Sequence, residues 1–192
     1  MAGKQAKILS DQQIESLLAF ASFTRNPDRN LVIVLLSIKA GLRASEIANL
    51  TWDMVVGPEG IVGSMLELPD RAAKNRGGRR IPLHSDLRAA LVALHDKAPI
   101  TVGPVVMSER GGRMTAVSIV NWFAEAFRTA GLNGCSSHSG RRTFITRAAR
   151  AAHRAGASLR DVQLLAGHRS IVTTQRYIDG DTDAQHKLVA LI

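Results

Sequence analysis

The amino-acid sequence predicts a mainly α-helical fold with one small antiparallel β-sheet, of the α+β class. Apolar residues recur at helical spacing through most of the chain, and capping residues precede several of these segments. Only residues 51–83 differ, with short apolar runs separated by turn sequences. A chain of 192 residues, 45% of them hydrophobic, suits a single domain with one substantial core. We therefore expect residues 1–192 to form one domain.

The first part of the chain is predicted to form three helices. Residues 10–13 have the spacing of a capping box, and apolar residues follow at helical period until the Asn-Pro-Asp break at 26–28. The apolar run from Leu31 predicts a second helix that is buried on nearly all sides and ends at Gly41. A short third helix is expected over residues 45–50.

The middle of the chain is predicted to form the sheet. The segments TWDMVV at 51–56, IVGSMLELP at 61–69 and RRIPL at 79–83 have the composition of short strands. Turns are expected between them at GPEG (57–60) and NRGG (75–78). We therefore expect these segments to pair as a small antiparallel sheet.

The rest of the chain is predicted to be helical. Amphipathic patterns indicate helices over residues 86–97 and 115–130. From residue 138 onward the pattern is helical again, with breaks at Gly156 and Gly167.

The charge of the chain favours a polyanionic partner. Lysine and arginine number 25 against 16 acidic residues, for a net charge of +9. The distribution is uneven, since five of the ten residues from Arg71 to Arg80 are basic and none is acidic. A second basic cluster comprises Arg141, Arg142, Arg147, Arg150 and Arg154. Acidic residues usually alternate with basic ones on a solvated surface, so these clusters indicate contact with phosphates.

Several classes of protein are disfavoured by composition. No window has the roughly 18 consecutive apolar residues of a membrane span, and the N-terminus lacks the apolar region of a secretory signal. The single cysteine, Cys135, rules out an internal disulfide and a cysteine-based zinc site. We expect a cytoplasmic protein without a membrane partner.

Six residues are candidates for chemistry, although each alone has an ordinary structural explanation. An arginine or histidine beside a helix end often bonds the exposed carbonyls, a hairpin lysine often serves solubility, and a single tyrosine usually packs. Only their combination favours a reaction. In chain order the candidates are Arg43, Lys74, His138, Arg141, His168 and Tyr177.

The segments around these residues resemble the motifs of the tyrosine recombinases, also called the phage integrase family. AGLRASEI, KNRGGRRIPL, HSGRRTF and LLAGHRSIVTTQRYI occur in the family's order and at its approximate spacing. The most specific is GHRSIVTTQRY, which follows the family's G-H-x-S-x-x-T-T-x-x-Y pattern. The chain resembles the family's catalytic domain over essentially its whole length, which implies that domain's fold.

The resemblance implies that Tyr177 is a nucleophile. In the family the tyrosine attacks the scissile phosphate, forms a 3′-phosphotyrosyl bond and releases a 5′-hydroxyl, which later attacks that bond to reseal a strand. The phosphodiester energy is conserved, so no ATP, metal or other cofactor is implied. Lys74 matches the family's hairpin lysine, eight residues before Pro82, and would protonate the departing 5′ oxygen.

The remaining matches imply roles around the phosphate. Arg43 matches the arginine of the G-L-R-x-S-E box, and His138 and Arg141 match the H-x-x-R box. By resemblance the two arginines would hold the non-bridging oxygens, and His138 would help to manage the phenol proton. His168 would hydrogen-bond the phosphate. Glu46 is expected to support the site as a hydrogen-bond acceptor.

Three features depart from the family pattern. The H-x-L-R-H box reads HSGRR here, with Gly140 and Arg142 at the third and fifth places. Residues 143–156 are about four residues, or one helical turn, longer than usual, which either extends the arginine face along DNA or only lengthens a surface helix. Finally, about nine residues precede the first predicted helix, so the N-terminal core-binding (clamp) domain is expected to be absent and DNA binding correspondingly weaker. The chain is then either a catalytic fragment or a short, single-domain type.

Double-stranded DNA is the expected partner, with self-association into a tetramer on paired sites implied by the resemblance. The tail at 183–192 either docks on a neighbouring protomer or folds back. On a helix, residues 147, 150 and 154 would share one face. The arginines expected to contact DNA are Arg71, Arg76, Arg79, Arg80, Arg142, Arg147, Arg150 and Arg154.

The leading interpretation is a site-specific DNA recombinase or integrase from a phage or mobile element. A type IB topoisomerase-like enzyme is one alternative, because its cleavage chemistry is alike. An integrase-derived DNA-binding accessory protein is the other, although such a protein has no use for the nucleophile.

Overall fold

The structure, a computed structural model, describes residues 6–73, 77–97, 100–177, 186, 189 and 190. These ranges contain short helices and one two-stranded sheet. The helices are α1 Asp11–Ser22, α2 Pro27–Lys39, α3 Ala44–Ala48, α4 Ser85–Asp96, α5 Ala116–Thr129, α6 Ser139–Ala151, α7 Leu159–Ala166 and α8 Ile171–Gln175. The strands are β1 Met65–Leu68 and β2 Arg79–Pro82. The predicted α+β class is confirmed.

The capping residues explain where the first helices begin. Ser10 accepts from the Gln13 backbone N–H while the Gln13 side chain accepts from the Ser10 N–H, which confirms the predicted capping box. Helix α2 begins earlier than predicted, at Pro27. Proline fits the first helical position because its φ is preset and no N–H is needed there. The Asn-Pro-Asp sequence that was predicted to end the first helix therefore begins α2, whereas α1 already ends at Ser22.

The sheet is smaller than predicted. β1 and β2 pair antiparallel, with Leu66 opposite Ile81. The predicted strand at 51–56 is wrong, because Trp52–Met54 forms a 3₁₀ turn flanked by isolated bridges. Tertiary packing favours the turn, since the Trp52 ring is buried against the His95 ring, 4.9 Å away. The predicted turn at 75–78 lies partly outside the described residues.

The core is centred on α2, which α1, α4 and α6 surround. Helix α6 approaches α2 closely at Gly140, where an added Cβ would overlap the Ser37 hydroxyl. This contact explains why glycine occupies the third place of the HSGRR box. A second, smaller cluster joins α6 to α7 through Ile145 and Val162, and Tyr177 packs at its edge.

Two further features concern the C-terminal third. Helix α6 ends at Ala151, so Arg154 lies in a separate 3₁₀ turn, His153–Ala155, and the prediction of one helical face for residues 147, 150 and 154 is wrong. Gly156 and Gly167 both adopt left-handed φ values and end their elements, as predicted.

No helix within the described ranges is long and apolar enough to cross a membrane.

Candidate functional site

The fold places five of the six predicted catalytic residues at the ends of helices. Lys74, the sixth, lies outside the described residues. Arg43 is the N-cap of α3, His138 is the N-cap of α6, and Arg141 lies in the first turn of α6. His168 follows the end of α7, and Tyr177 follows the end of α8. Side chains at helix ends can converge on one point because the chain turns there.

Arg141 joins the segments that carry two of these residues. Its side chain is buried, Nη1 donates to the Gly41 carbonyl at 2.6 Å, and Nη2 donates to the Ala166 carbonyl at 2.7 Å. Gly41 precedes Arg43 by two residues, and Ala166 precedes His168 by two. Burial and the charge of Arg43 lower the pKa of Arg141 to about 10, which leaves it charged at pH 7. One guanidinium therefore fixes the distance between the segments that carry Arg43 and His168.

His168 is held from both ring nitrogens. Nε2 lies 3.0 Å from Nη2 of Arg141, and Nδ1 lies 3.0 Å from the Thr174 hydroxyl. A guanidinium only donates, so Nε2 must accept, and the proton of the neutral ring sits on Nδ1, facing Thr174. Burial and the charges of Arg141 and Arg43 lower the pKa of His168 to about 4. The ring is therefore neutral at pH 7.

Arg43 is oriented by a buried carboxylate. The side chain of Glu46 is fully buried, and it accepts from Nη1 of Arg43 at 2.8 Å and from the Arg43 backbone N–H at 3.0 Å. Burial alone would raise the pKa of Glu46, but hydrogen bonds and charges from Arg79 and Arg43 lower it to about 2. The expectation that Glu46 accepts hydrogen bonds beneath the site agrees with this geometry.

Arg79 lies beneath the site, although the sequence placed it among the exposed DNA contacts. Its side chain is only 5% exposed, and Nη2 donates to Glu46 Oε2 at 3.0 Å. Nε donates to the Leu165 carbonyl at 2.8 Å, near the end of α7. Because the guanidinium is buried and bonded inside the protein, we correct the predicted role of Arg79 from a surface contact to support of the site.

Tyr177 is half-buried at the mouth of a cavity. Its ring stacks on the His168 ring, with centroids 5.5 Å apart and planes 25° apart. The guanidinium carbon of Arg142 lies 5.9 Å from the Tyr177 ring centroid. Thr146 donates a hydrogen bond to the Tyr177 backbone carbonyl at 3.3 Å. The Tyr177 ring thus lies beside both a histidine and an arginine.

The cavity beside Tyr177 has a volume of about 380 Å³ and is open to solvent. Its lining includes His138, Arg141 and Arg142 together with Tyr177. His138 is exposed, and its backbone N–H donates to the Ser136 hydroxyl at 3.3 Å. A small cavity bordered by guanidinium groups, an imidazole and a phenol suits a phosphate group.

Arg71 and Arg80 lie on the exposed surface around the hairpin. Arg71 pairs with Asp53 at 3.4 Å, and Arg80 pairs with Glu67 at 3.1 Å. Exposed ion pairs contribute little to stability, so these arginines can exchange a carboxylate for a phosphate at small cost. Arg76 lies outside the described residues.

The arginines near the end of α6 are exposed too. Arg147 pairs with Asp11 at 2.8 Å and donates to the Leu9 carbonyl at 3.2 Å, so it also anchors the segment before α1. Arg150 and Arg154 are exposed on the same part of the chain. These placements leave their DNA contacts a prediction.

Sequence reasoning missed Thr174 and the two carbonyls that hold Arg141. Thr174 belongs to the T-T pair of the GHRSIVTTQRY segment, so the motif marked it, but not its partner. No sequence pattern identifies the carbonyls of Gly41 and Ala166. Within the described ranges, no group of three or more His, Cys, Asp or Glu side chains is arranged to hold a metal ion.

Comparison with known proteins supports the pattern. The model of the phage integrase family matches residues 7–183. Tyrosine recombinase XerA of Thermococcus kodakarensis is 30% identical over 178 residues, which cover 89% of this chain and 57% of the relative. Tyrosine recombinase XerC of Pelobacter propionicus is 30% identical over 153 residues, 78% of this chain and 46% of the relative. The chain thus spans about half the length of these relatives.

Solved structures show the same fold. A crystal structure of XerA recombinase superposes with a TM-score of 0.75 at 22% identity and covers 100% of this chain and 65% of that chain. The Tn1549 transposon integrase in complex with circular intermediate DNA gives a TM-score of 0.71 at 21% identity, covering 100% of this chain and 67% of that chain.

Proposed function

The chain belongs to the phage integrase family, and we propose that it is a site-specific DNA recombinase that cleaves and rejoins strands through Tyr177. One observation carries the proposal. Tyr177, His138 and Arg141 line one solvent-open cavity bordered by cationic side chains, and the Tyr177 ring stacks on His168. The relatives are named tyrosine recombinases, and the similar integrase structure contains DNA. The names of these relatives favour the recombinase over the topoisomerase and accessory-protein alternatives.

Cleavage would proceed as an in-line displacement at phosphorus. The Tyr177 oxygen forms a bond to the phosphorus while the bond to the 5′ oxygen breaks, and His138 at the same cavity takes part in removing the phenol proton. Lys74 is proposed to supply a proton to the departing 5′ oxygen. Rejoining is the reverse displacement by a 5′-hydroxyl from another strand, so the number of phosphodiester bonds is unchanged.

The charges of the site favour this reaction. Arg43 and Arg141 are held by Glu46 and by backbone carbonyls, so their guanidinium groups are in place before a phosphate arrives. Donors fixed in advance stabilise the charge that spreads over the phosphate oxygens in the transition state. With three guanidiniums, including Arg79, and one carboxylate, the site is net positive and attracts an anion.

The larger assembly is also proposed. We infer that residues 1–192 act as a catalytic domain and that the activity takes place in the cytoplasm, on bacterial or phage DNA. Self-association into a tetramer on paired sites and contacts from the exposed arginines remain predictions. Recognition of a particular target would depend on groove contacts and DNA deformability.

The test is covalent trapping. The protein is incubated at low ionic strength with a pool of nicked duplexes whose core sequence is randomised, and detergent-resistant protein–DNA adducts are isolated and sequenced. Low salt is used because a single domain neutralises fewer phosphates. We expect the native chain to form adducts whose DNA shares a core sequence, and Tyr177→Phe to form none. Since Tyr177 is the only tyrosine, an adduct formed by Tyr177→Phe would overturn the proposal.

A supercoiled plasmid that lacks the recovered core separates this proposal from the topoisomerase alternative. A recombinase should leave that plasmid supercoiled, whereas a topoisomerase should relax it. Relaxation that is as fast without the core as with it would contradict site specificity.

A further inference from the structure

Thr174 contacts both His168 and the segment that carries Tyr177. The residue is fully buried in α8, its hydroxyl lies 3.0 Å from Nδ1 of His168, and its backbone carbonyl accepts from the Tyr177 N–H at 3.1 Å. The His168 backbone is fixed as well, because its carbonyl accepts from the Gln163 side chain at 2.8 Å. The imidazole therefore has little freedom to move away from the hydroxyl.

The hydrogen bonds of His168 conflict with the role that the resemblance implies for it. Nε2 accepts from Arg141, and the ring proton is on Nδ1. The oxygens of a phosphodiester only accept hydrogen bonds. For His168 to bond a phosphate oxygen through Nε2, that nitrogen must therefore give up the hydrogen bond from Arg141 and gain a proton, while Arg141 stays on its two carbonyls.

His168 can place a proton on Nε2 more easily by staying neutral than by becoming charged. Double protonation would add a positive charge to a site that already holds three guanidiniums and one carboxylate, and burial further disfavours a charged imidazole. The alternative is exchange between the two neutral tautomers, in which Nδ1 loses a proton and Nε2 gains one. Within the described part of the chain, the charged and titratable groups around the ring are Arg141 of α6, Arg43 and Glu46 at the start of α3, Arg79 of β2, and Tyr177 after α8.

We propose that Thr174 is a positioning residue that lets His168 change tautomer without moving. Its hydroxyl accepts from Nδ1–H in the DNA-free protein and rotates to donate to Nδ1 when Nε2 donates to the phosphate. One proton leaves Nδ1 and one reaches Nε2 through solvent, so the ring stays neutral. A hydroxyl suits this task because it both donates and accepts. The inference rests on the proposed recombinase function.

Nitrogen NMR of histidine-labelled protein tests the tautomer of His168 before DNA is bound. In the DNA-free native chain we expect Nδ1 of His168 to be protonated and Nε2 unprotonated at pH 7, with the resonances assigned by their loss in His168→Gln. A ring protonated on Nε2, or on both nitrogens, would overturn the inference whether or not the protein recombines DNA.

The change of tautomer on DNA binding is tested in a complex that cannot react. Tyr177→Phe is bound to the core duplex recovered in the trapping experiment, and the His168 nitrogens are measured again. We expect Nε2 to be protonated and Nδ1 unprotonated. An unchanged spectrum, or two protonated nitrogens, contradicts the inference while the native chain still forms adducts. Failure of the proposed function is distinguishable, because the native chain then forms no adduct.

Two variants separate positioning from packing. Thr174→Val keeps the shape but removes the hydroxyl, and we expect single-turnover cleavage to fall roughly 100-fold, the loss typical of removing one donor to a transition-state oxyanion. Thr174→Ser keeps the hydroxyl and should retain most of the rate. Duplex affinity should be unchanged in both. Rates are compared well below each variant's Tm, and cleavage by Thr174→Val at the native rate contradicts the inference.

Discussion

Nη2 of Arg79 lies 3.0 Å from Oε2 of Glu46, and both side chains are almost completely buried beneath the candidate site. Glu46 also accepts from Arg43, so the carboxylate is shared by two guanidiniums. A buried ion pair contributes little net stability compared with apolar residues, but removal of one partner leaves an uncompensated charge. The arrangement therefore fixes Arg43 in position and makes the fold sensitive to either residue.

Glu46→Gln should destabilise the protein strongly. The amide keeps the shape but leaves the buried Arg79 without a counter-charge, and we expect the free energy of unfolding at pH 7 to fall by about 3–5 kcal/mol. Urea denaturation measures the change. Glu67→Gln is the matched control, because Glu67 pairs with Arg80 on the exposed surface and should cost no more than about 1 kcal/mol. Equal effects of both variants would contradict the structural role of Glu46.

The same carboxylate predicts an acid limit to stability. The pKa of Glu46 falls from 4.5 to about 2 in the folded protein, which corresponds to about 3 kcal/mol. Because the folded-state value is the lower one, this contribution is complete above about pH 5 and is lost as the pH falls towards 2. The Tm of the native chain should decrease over that range, and the decrease should be smaller in Glu46→Gln. Parallel curves for the two proteins would contradict this assignment.

Arg79 and Arg80 are neighbours in sequence with opposite environments, so they make a matched pair. Arg79→Lys cannot reproduce the bonds to both Glu46 and the Leu165 carbonyl, and we expect it to destabilise the fold and abolish most cleavage. Arg80→Ala should change stability by at most about 0.5 kcal/mol. If Arg80 contacts a phosphate, the salt dependence of DNA binding should weaken by roughly one ion, as measured by the slope of log K against log salt.

One outcome would contradict the structural role of Arg79. A normal Tm for Arg79→Ala, together with a salt slope reduced by roughly one ion, would show that Arg79 acts at the DNA surface as the sequence first predicted.

The sequence predicted the parts of the fold that local chemistry determines. The capping box at Ser10 and the left-handed Gly167 are set by the residues themselves, and both are present. The strand predicted at 51–56 was wrong because the Trp52 ring packs on His95, which is more than forty residues away in the sequence. Arg79 was misplaced for the same reason, since nothing in RAAKNRGGRR distinguishes an arginine that faces inward from one that faces solvent. The order of the motifs predicted which residues converge, whereas the carbonyls that hold Arg141 depend on tertiary structure.

Gly140→Ala should weaken the packing of α6 on α2. The added Cβ would overlap the Ser37 hydroxyl and crowd Ile38, and overpacking of this kind typically costs about 1–3 kcal/mol. Ser37 Oγ is buried and has no hydrogen-bond partner among the residues that the structure describes, so Ser37→Ala should recover part of the loss in the double variant. Gly63→Ala is the control, because its Cβ would meet only ordinary contacts. A neutral Gly140→Ala would contradict the close approach of the two helices.

Arg142 should hold the nucleophile, which gives the unusual arginine of the HSGRR box a function. Its guanidinium carbon lies 5.9 Å from the Tyr177 ring centroid, and such contacts contribute about 0.5–2 kcal/mol. In Arg142→Ala we expect single-turnover cleavage to fall by roughly 2- to 30-fold, while Arg142→Lys, which keeps the cation, loses less. Carbon-13 labelling of tyrosine reports the ring directly, since Tyr177 gives the only signal. If that signal is identical in the native chain and Arg142→Ala while cleavage falls, Arg142 acts on the phosphate rather than on the ring.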